Sequence, residues 1–498
     1  MFIFFWYNDN RMIVFQILLY VSFQFCQLEC AKLSGSQRVV FPEMLESRSD
    51  NGVKVLKITE DLTLNLEKSS ILSKNFLLRT YEDRIMKHSY HDGEILEQDL
   101  YHDINYLASV MVSEDSGLQV EGVLGPNLRI KPLMDERSME GSSAHVLYEI
   151  SDDTYHSGAN IGVQWNDHMN ISERDDKSSG ENAEARPELL VAVDSTFRSK
   201  FTSVLRIMRY IIISMNSVNV RYMTVEGMKV RIVLQAIEIF DVYTEEFLYR
   251  VDELLAGYRT LETFQNYVGR NPHKYGQYDA VYLITGLNMA QYTGYRWDLE
   301  LQGIAYVAGA CSSRKVGIGE DRVGTFFGVR ITAHEIAHLI GCPHDGQFYG
   351  TYSSVQCPWD YGYIMSYKIQ DSNSMKFSTC CQDNIKRFVY YGSGSCLLQK
   401  GSKRTIKKKN FTVELPGTLV RDFCKASYPE VRETYLIEKE GRLECQGRCY
   451  MPQQVWRYGY KIAMFPDNTP CSEGKKPKIC INGGCTETRP RYSSYRPY

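Results

Sequence analysis

The sequence predicts a mixed α/β domain with a mostly parallel, twisted sheet, preceded by a β-rich segment and followed by a small disulfide-rich domain. Three observations lead to this fold class. Strand-like and helix-like segments alternate between residues 186 and 400. Residues 31–185 carry strand-like alternations and no cysteine. From residue 401 onward helical periodicity is lost, and six cysteines lie among glycines and prolines.

The composition is that of an ordinary globular protein. The 498 residues are 43% apolar and 23% charged, which excludes a wholly disordered, collagen-like or coiled-coil chain. The 57 basic and 60 acidic side chains give a net charge of −3, so nothing attracts the whole chain to nucleic acid or to an anionic membrane.

Residues 1–30 are predicted to be a signal peptide. Met12–Phe25 is a mostly apolar run of 14 residues that follows Arg11, and it is short for a membrane span. Cleavage is expected near residues 26–31, and an uncleaved signal anchor is the alternative. No later run is long and apolar enough to span a bilayer, so we expect a secreted, extracellular protein.

Residues 31–185 are predicted to form a separate β-rich domain. Val53–Ile58 alternates between apolar and polar residues, as a half-buried strand does. The polar, acidic stretch Asn166–Glu184 predicts an exposed linker at the end of this domain. N-x-[S/T] sequons at Asn170 and Asn410 predict glycosylation.

Residues 186–400 carry the α/β pattern. Short apolar runs are typical of buried strands, and apolar residues at helical spacing are typical of helices. In chain order we predict a strand at Glu188–Val193, a helix at Thr196–Met215, a strand at Met228–Phe240, a helix at Glu245–Val268 and a strand at Asp279–Thr285.

Residues 401–498 have the character of a small cross-linked domain. They hold 19 Lys and Arg against 10 Asp and Glu, a net charge of +9. This basic tail indicates either an anionic partner or an ordinary solvated surface. Of the 14 cysteines, six lie between residues 311 and 396 and six between 424 and 485. Two even clusters indicate disulfide bonds formed in an oxidising compartment.

The strongest chemical signal is the motif H-E-x-x-H-x-x-G-x-x-H-D at residues 334–345. On a helix, residues i and i+4 share a face, so His334 and His338 can direct two imidazoles at one ion. Gly341 lacks a Cβ and allows a sharp turn, which brings His344 back as a third ligand. Three nitrogen ligands leave one position open for water, as in a catalytic zinc site.

Two further features support this interpretation. The segment Tyr363–Tyr367 follows about twenty residues later, where a Met-turn is expected, and Met365 would pack beneath the imidazoles as an apolar floor. Five fixed positions of the motif are expected by chance in fewer than about one in a thousand chains of this length. An incidental histidine pattern on a helix is the alternative.

On these residues the chain resembles the reprolysin branch of the metzincin metalloproteases, which includes snake-venom and ADAM/ADAMTS enzymes, and is most similar to tick salivary gland metalloproteases. The resemblance covers about residues 186–498. It rests on Glu188–Asp194, Gln302–Val307 through Cys311, His334–Asp345, the Met365 turn, Lys376–Ser378 with Cys380 and Cys396, and, more weakly, Leu415–Gly417 and Asp467–Cys471.

The resemblance implies a metzincin catalytic domain at residues 186–400 that contains the active-site helix, a pro-domain at residues 31–185 and a disintegrin-like/cysteine-rich domain at residues 401–498. It implies one catalytic zinc ion, with Glu335 as the general base and Asp345 supporting the wall of the site. A merely exposed side chain is the alternative for Asp345.

The resemblance also implies how substrate and calcium bind. The substrate backbone would lie along Gly303, Ile304 and Ala305 and add a strand to an exposed edge, the alternative being an ordinary buried strand. Calcium is implied at Glu188, Asp279, the carbonyl of Cys396 and Gln399, although the family has Asn where this chain has Gln399.

For the cysteines, the resemblance implies a disulfide between Cys311 and Cys396. Cys342, Cys357, Cys380 and Cys381 then pair among themselves in one of three ways, and a bond between the adjacent Cys380 and Cys381 is disfavoured by strain.

Maturation cannot use the cysteine that many metzincin pro-domains place on the zinc, because residues 31–185 contain none. Arg174 and Arg186 are candidate cleavage positions. The predicted function is a secreted, monomeric zinc endopeptidase, and the resemblance implies extracellular substrates such as fibrinogen, fibrin or gelatin. The alternative is a catalytically silent binding protein that acts through its cysteine-rich tail.

Overall fold

The computed structural model describes residues 37–45, 54–82, 84–114, 117–137, 143–150, 184–368 and 372–398, and short stretches between residues 424 and 487. The predicted signal peptide, residues 166–183 of the linker, Asn170, Asn410 and Gln399 lie outside the described residues. Contacts divide the chain into two compact units, residues 1–67 with 101–156 and residues 68–100 with 157–498.

The described part of residues 37–149 is mostly β-structure, as its alternating sequence predicts. Its strands are β1 (Gln37–Val40), β2 (Glu43–Leu45), β3 (Lys54–Thr59), β4 (Leu62–Lys68), β5 (Leu72–Glu82), β6 (Ile85–Asp92), β7 (Leu100–Asp103), β8 (Ala108–Ser113), β9 (Gln119–Leu124), β10 (Leu128–Arg137) and β11 (Ser143–Glu149), with helix α1 (Gly93–Leu96) after β6.

The first unit is a nine-stranded sheet in the order β1-β11-β10-β9-β8-β7-β4-β3-β2. Strand β3 shows the expected alternation, since Leu56 and Ile58 are buried while their neighbours are partly exposed. They pack with Leu64, Val110 and Ile130 in a core to which each strand contributes alternate residues.

The second unit holds strands β12 (Glu184–Ala185), β13 (Glu188–Val193), β14 (Lys229–Val230), β15 (Val233–Ile239), β16 (Arg250–Val251), β17 (Leu254–Ala256), β18 (Ala280–Thr285), β19 (Asn288–Tyr292), β20 (Trp297–Asp298), β21 (Gly303–Ala305), β22 (Val316–Glu320), β23 (Phe348–Tyr349) and β24 (Tyr352–Ser353). Its helices are α2 (Ser195–Arg198), α3 (Val204–Tyr222), α4 (Gly257–Arg270), α5 (Pro272–Tyr275), α6 (Gly328–Leu339) and α7 (Thr379–Tyr391), with 3-10 turns at Trp359–Tyr361, Ser372–Met375 and Ser393–Leu397.

The central sheet of this unit has the order β21-β22-β18-β13-β15-β5-β6. The five inner strands are parallel to their inner neighbours, and the two outer pairs, β21 with β22 and β5 with β6, are antiparallel. The predicted mixed α/β architecture is confirmed. Strand β18 is buried along its whole length, as expected of a parallel strand covered on both faces.

Two predicted helices differ from the helices observed. The first is interrupted: Asp194 caps α2, and Ser203 starts α3 by accepting a hydrogen bond from the Arg206 N–H. The second prediction, Glu245–Val268, is wrong in its first half. Residues 250–256 form β16 and β17, which are drawn into a small sheet with β19, so the amphipathic helix begins only at Gly257.

Disulfide bonds close the second half of this unit. Cys311 is bonded to Cys396, the pairing that the resemblance implies. Of the three connectivities left open, the structure has Cys342 with Cys381 and Cys357 with Cys380. Both bonds tie the segment after α6 to the start of α7, so they fix residues 342–357 against a helix.

The described stretches of the tail are strands β25 (Arg442–Leu443), β26 (Gln446–Tyr450), β27 (Tyr460–Met464), β28 (Lys478–Ile481) and β29 (Gly484–Glu487), with a disulfide between Cys424 and Cys449. Within the residues described, we find no helix with the length and apolar character needed to cross a bilayer.

The buried side-chain amide of Asn219 joins helix α3 to Ile232, the residue before β15. The Asn219 side chain accepts from the Ile232 N–H at 2.8 Å and donates to the Ile232 carbonyl at 2.9 Å. Replacing Asn219 by Ala leaves both backbone groups buried without a partner, so we expect the free energy of unfolding to fall by about 2–3 kcal/mol. Guanidinium unfolding measures this loss. Leu205→Ala on the exposed start of α3 is the control, and an equal effect in both variants would contradict the account.

Candidate metal centre

Helix α6 carries the motif and is buried on all sides. All twelve of its residues are buried, because it packs against strands β21 and β22 and against α3. Its first N–H, at Gly328, donates to Asp321 Oδ1 at 2.8 Å in place of a capping side chain. A Cβ at Gly328 would lie 2.6 Å from the Cβ of Asp321, so glycine is needed for this close start.

Gly341 ends the helix as the sequence predicts. Its φ is +106°, in the region that favours glycine, and a Cβ there would lie 2.8 Å from the Cβ of Phe388. The Gly341 N–H donates to the His338 carbonyl at 3.0 Å and the Cys342 N–H to the Ala337 carbonyl at 2.9 Å. These two bonds form a Schellman motif, which reverses the chain and leads it toward His344.

The three histidines converge on one point. His344 Nε2 lies 3.1 Å from His334 Nε2 and 3.1 Å from His338 Nε2. All three side chains are buried, with at most 3% of each residue exposed. The structure therefore brings together the three residues that the motif predicts to be ligands.

Backbone carbonyls orient two of the rings. His334 Nδ1 lies 2.8 Å from the Ile364 carbonyl and His338 Nδ1 lies 2.6 Å from the Cys342 carbonyl. Each carbonyl accepts a hydrogen bond from Nδ1, which leaves Nε2 without a proton and directed at the centre. Burial lowers the pKa of His338 to about 4 and holds the pKa of His334 and His344 well below the usual value, so all three imidazoles are neutral at pH 7.

These side chains fit a metal ion. A tetrahedral zinc ion bound at about 2.0–2.1 Å separates its nitrogen ligands by roughly 3.3 Å, close to the observed 3.1 Å. Neutral nitrogens held this close suit a cation and not one another. Within the described residues His334, His338 and His344 can thus hold a metal ion.

The Met-turn connects both ends of the motif. Ile364 receives the hydrogen bond of His334, and the carbonyl of the fully buried Met365 accepts from the Asp345 N–H at 3.0 Å. Arg330, one turn before His334, holds this segment from the helix, since its guanidinium donates to the Ser366 carbonyl at 2.7 Å. The turn is thereby fixed directly against the histidines.

Glu335 is buried beside the ligands. Its residue is 4% exposed, and its Oε2 has no hydrogen-bond partner among the described residues. Burial raises the pKa of this carboxyl well above its usual value. A buried carboxyl with a free oxygen next to three convergent imidazoles is suited to exchange protons with a molecule at the centre.

Asp345 is a buried residue that links two segments of the site, so the alternative of an exposed Asp is excluded. It is 1% exposed, and its Oδ1 accepts from Ser378 Oγ at 2.6 Å. Ser378 also caps α7 by accepting from the Cys381 N–H at 3.2 Å. Burial raises the pKa of Asp345 to about 6, while the Ser378 hydrogen bond lowers it. Asp345 therefore joins the loop of the third histidine to α7.

Strand β21, with Gly303, Ile304 and Ala305, is the edge strand next to the motif helix. It pairs with β22 on one side and is the last strand of the sheet on the other. A Cβ at Gly303 would lie 2.6 Å from Glu335 Oε1. The small size of Gly303 makes room for Glu335. The buried side chains of Ile304 and Ala305 anchor the strand to the core.

The sequence reasoning missed two aromatic residues at the centre. Tyr367 Oη lies 3.1 Å from His344 Nε2, and the Tyr367 ring stacks on His334 with ring centroids 5.4 Å apart. Trp359 meets the His344 ring edge-on at 5.9 Å. Tyr367 stands two residues after Met365, so the turn sequence contained the signal, whereas nothing in the pattern indicated Trp359.

The residues proposed for calcium lie around one disulfide. Glu188 and Asp279 are adjacent, since the Glu188 N–H donates to Asp279 Oδ2 at 3.0 Å. Asp279 lies close to the sulfur atoms of Cys311 and Cys396. Those sulfurs are bonded to each other and are not metal ligands. Gln399 is outside the described residues, and calcium stays a prediction.

Comparisons with known proteins agree with this centre. The family profile Reprolysin_5, described as Metallo-peptidase family M12, matches residues 183–378. Venom metalloproteinase antarease TserMP_A of Tityus serrulatus is 30% identical over 397 residues, which are 74% of this chain and 94% of that protein.

Two other relatives show the same relationship. Venom metalloproteinase antarease-like TtrivMP_A of Tityus trivittatus is 29% identical over 394 residues, 74% of this chain and 95% of that protein. A protein of Bombyx mori named "A disintegrin and metalloproteinase with thrombospondin motifs like" is 29% identical over 336 residues, 62% of this chain and 46% of that protein. A special similarity to tick enzymes stays a prediction. The chain belongs to the M12 metallopeptidases and is a relative of the venom metalloproteinases.

Proposed function

We propose that this protein is a secreted zinc endopeptidase that hydrolyses peptide bonds of extracellular proteins. The observation that carries the proposal is the convergence of three neutral imidazoles beside a buried carboxyl with a free oxygen, with His344 Nε2 lying 3.1 Å from Nε2 of both His334 and His338. Family membership supplies the general class, a metallopeptidase. The choice of zinc follows from three imidazole ligands in a compact, closely spaced set.

Zinc bound at such a site supplies two effects, a lowered pKa of its water and polarisation of the scissile carbonyl. Among the protein's own residues, Glu335 is proposed to transfer the proton. Its free Oε2 accepts a proton from the attacking water and later returns it to the leaving amine. Burial raises the pKa of Glu335, which makes its carboxylate a stronger base for the proton of the water.

The substrate backbone is proposed to add a strand to β21. This strand ends the sheet, and its Gly303 lies against Glu335, so a peptide paired with β21 would pass the proton acceptor. Tyr367 lies on the His344 side of the centre. Fibrinogen, fibrin and gelatin are proposed as substrates on the basis of the family resemblance. A particular similarity to tick salivary gland metalloproteases is proposed on the same basis.

Secretion is supported by the three disulfides between residues 311 and 396 and by the names of the relatives, which are venom proteins. We propose a monomer made as a zymogen, with a signal peptide, a pro-domain to residue 185, glycans at Asn170 and Asn410, and a basic tail that binds anionic matrix. A calcium ion near Glu188 and Asp279 would be a structural addition to this enzyme.

The alternative is a silent protease fold that acts only as a binding protein through its cysteine-rich tail. Loss of a ligand or of the base would silence the site, whereas this chain keeps His334, His338, His344 and Glu335, all of them buried. The arrangement therefore favours the enzyme.

Loss of one ligand should release the metal. His344→Ala removes one of three nitrogens, and we expect zinc affinity to fall by at least about 100-fold. Metal analysis after dialysis against a graded zinc chelator measures this. His273→Ala, an exposed histidine on α5, is the control and should keep one zinc per chain. Equal zinc retention by both variants would show that the metal is bound elsewhere.

Loss of the carboxyl should stop catalysis and spare the metal. Glu335→Ala is expected to lower casein or gelatin hydrolysis by about 10³-fold or more, because water loses its proton acceptor. Zinc content should stay at the wild-type value. Glu60→Ala, in the exposed turn between β3 and β4, is the control. Full turnover by the Glu335 variant would contradict the role of Glu335 as the general base. Hydrolysis that is insensitive to a chelator would contradict the proposal that the protein is a metalloprotease.

Filling the space of Gly303 should displace Glu335. The new Cβ of Gly303→Ala would lie 2.6 Å from Glu335 Oε1, so the carboxyl must move. We expect kcat to fall by about 10- to 100-fold with zinc retained, since displacement of a catalytic group by about 1 Å has effects of this size. Gly269→Ala is the matched control, because no atom lies within 4 Å of a Cβ there. Wild-type kcat in both would refute the contact.

A further inference from the structure

The β5–β6 hairpin belongs to the sheet of the second unit although it precedes the linker by more than sixty residues. We propose that the edge of β15 is a docking surface for the segment of residues 68–100, and that this segment stays bound as a donated strand pair when the chain is cut between residues 150 and 184. The processed protein would then be a two-chain complex, with its sheet completed by the N-terminal chain.

Main-chain pairing is the first support. Strand β5 lies parallel to β15, with Leu77, Leu78, Arg79 and Thr80 opposite Ala236, Ile237, Glu238 and Ile239. The Leu234 N–H extends the ladder by donating to the Ile71 carbonyl at 2.8 Å. Without the hairpin, β15 would become an open edge, although most of its residues are buried. Open apolar edges invite aggregation, so retention of the hairpin is favoured.

Apolar contacts are the second support. Phe76, Leu77, Leu78 and Tyr81 of the hairpin are each less than a tenth exposed. Leu77 and Tyr81 belong to the main core of the second unit, and the Tyr81 ring stacks on Phe240 with centroids 5.4 Å apart. Release of the segment would therefore open the core that lies under the central sheet.

A buried ion pair is the third support. Arg79 Nη1 lies 3.4 Å from Glu238 Oε2, with the side chains 4% and 0% exposed. Tyr81 Oη donates to the other oxygen of Glu238, and Arg79 Nη2 donates to the Lys274 carbonyl at 3.0 Å. Release would leave Glu238 without its nearest partners, and a buried charge that loses its partner is strongly destabilising. All these bonds cross from one prospective chain to the other.

The segment is also closed on itself. Glu97 Oε2 accepts from the Ile71 and Leu72 N–H groups at 2.8 Å each, and the Ser69 N–H donates to the Leu100 carbonyl at 3.0 Å. These bonds join the two ends of the segment to each other and do not involve β15. A prefolded hairpin loses little entropy on docking, which favours a tight complex.

Because of its position, the hairpin extends the central sheet and does not cover the β21 edge. Strand β6 ends the central sheet on one side, and β21 ends it on the other. A hairpin that stays on β15 leaves the opposite edge, where substrate is proposed to bind, unchanged.

The test is to cut the folded full chain at a specific protease sequence inserted between residues 160 and 180, then run size-exclusion chromatography under native conditions. The two fragments should elute together in equal amounts at micromolar concentration. Hydrogen exchange of the cut protein should show the amides of residues 77–80 and 236–239 as protected as in the uncut chain.

A pair of hairpin variants identifies the contact. Arg79→Met should raise the dissociation constant of the cut complex at least 100-fold, whereas Lys74→Met, an exposed lysine of the same strand, should change it less than about twofold. If Arg79→Met does not fold, hydrogen exchange of the cut wild-type protein decides. Fragments that separate, or that elute together while residues 77–80 exchange freely, would overturn the proposal.

Discussion

The constraint on which the rest of the second unit depends is the convergence of three buried imidazoles, with His344 Nε2 held 3.1 Å from Nε2 of both His334 and His338. Neutral nitrogens do not attract one another, so the protein must hold them from behind. It does so with two carbonyls, those of Ile364 and Cys342, which accept the Nδ1 protons of His334 and His338. Both carbonyls lie outside helix α6, and their positions are set by the turns that follow it.

Those turns are fixed by several independent contacts. Gly341 reverses the chain at a positive φ, and the adjacent Cys342 is bonded to Cys381 of α7. Arg330 holds the Met-turn from the helix side, and Asp345 joins the third histidine loop to the cap of α7. Because these contacts lie within one rigid frame of helices and disulfides, the ligands are preorganised and little entropy remains to be lost when a metal binds.

Much of this could be predicted from the sequence, because the metal motif depends on local geometry. The spacing of His334, His338, Gly341 and His344 follows from the helical repeat and from a glycine turn, and both are encoded within twelve residues. Three of the parallel strands, β13, β15 and β18, were recognisable because they are short and mostly apolar. By contrast, residues 250–256 have amphipathic periodicity yet form strands, since pairing with β19 overrides the local preference.

The contacts of Gly303 with Glu335, and of the β5–β6 hairpin with β15, join residues far apart in sequence and leave no local pattern. Trp359 was unpredictable for the same reason.

The central claim is tested most directly by anomalous diffraction at the zinc absorption edge from crystals of the folded protein. The account predicts a single strong peak in contact with Nε2 of His334, His338 and His344, at about 2.0–2.1 Å from each nitrogen. A peak at another group of side chains, or well-ordered histidines with no anomalous signal between them after growth in zinc, would contradict it.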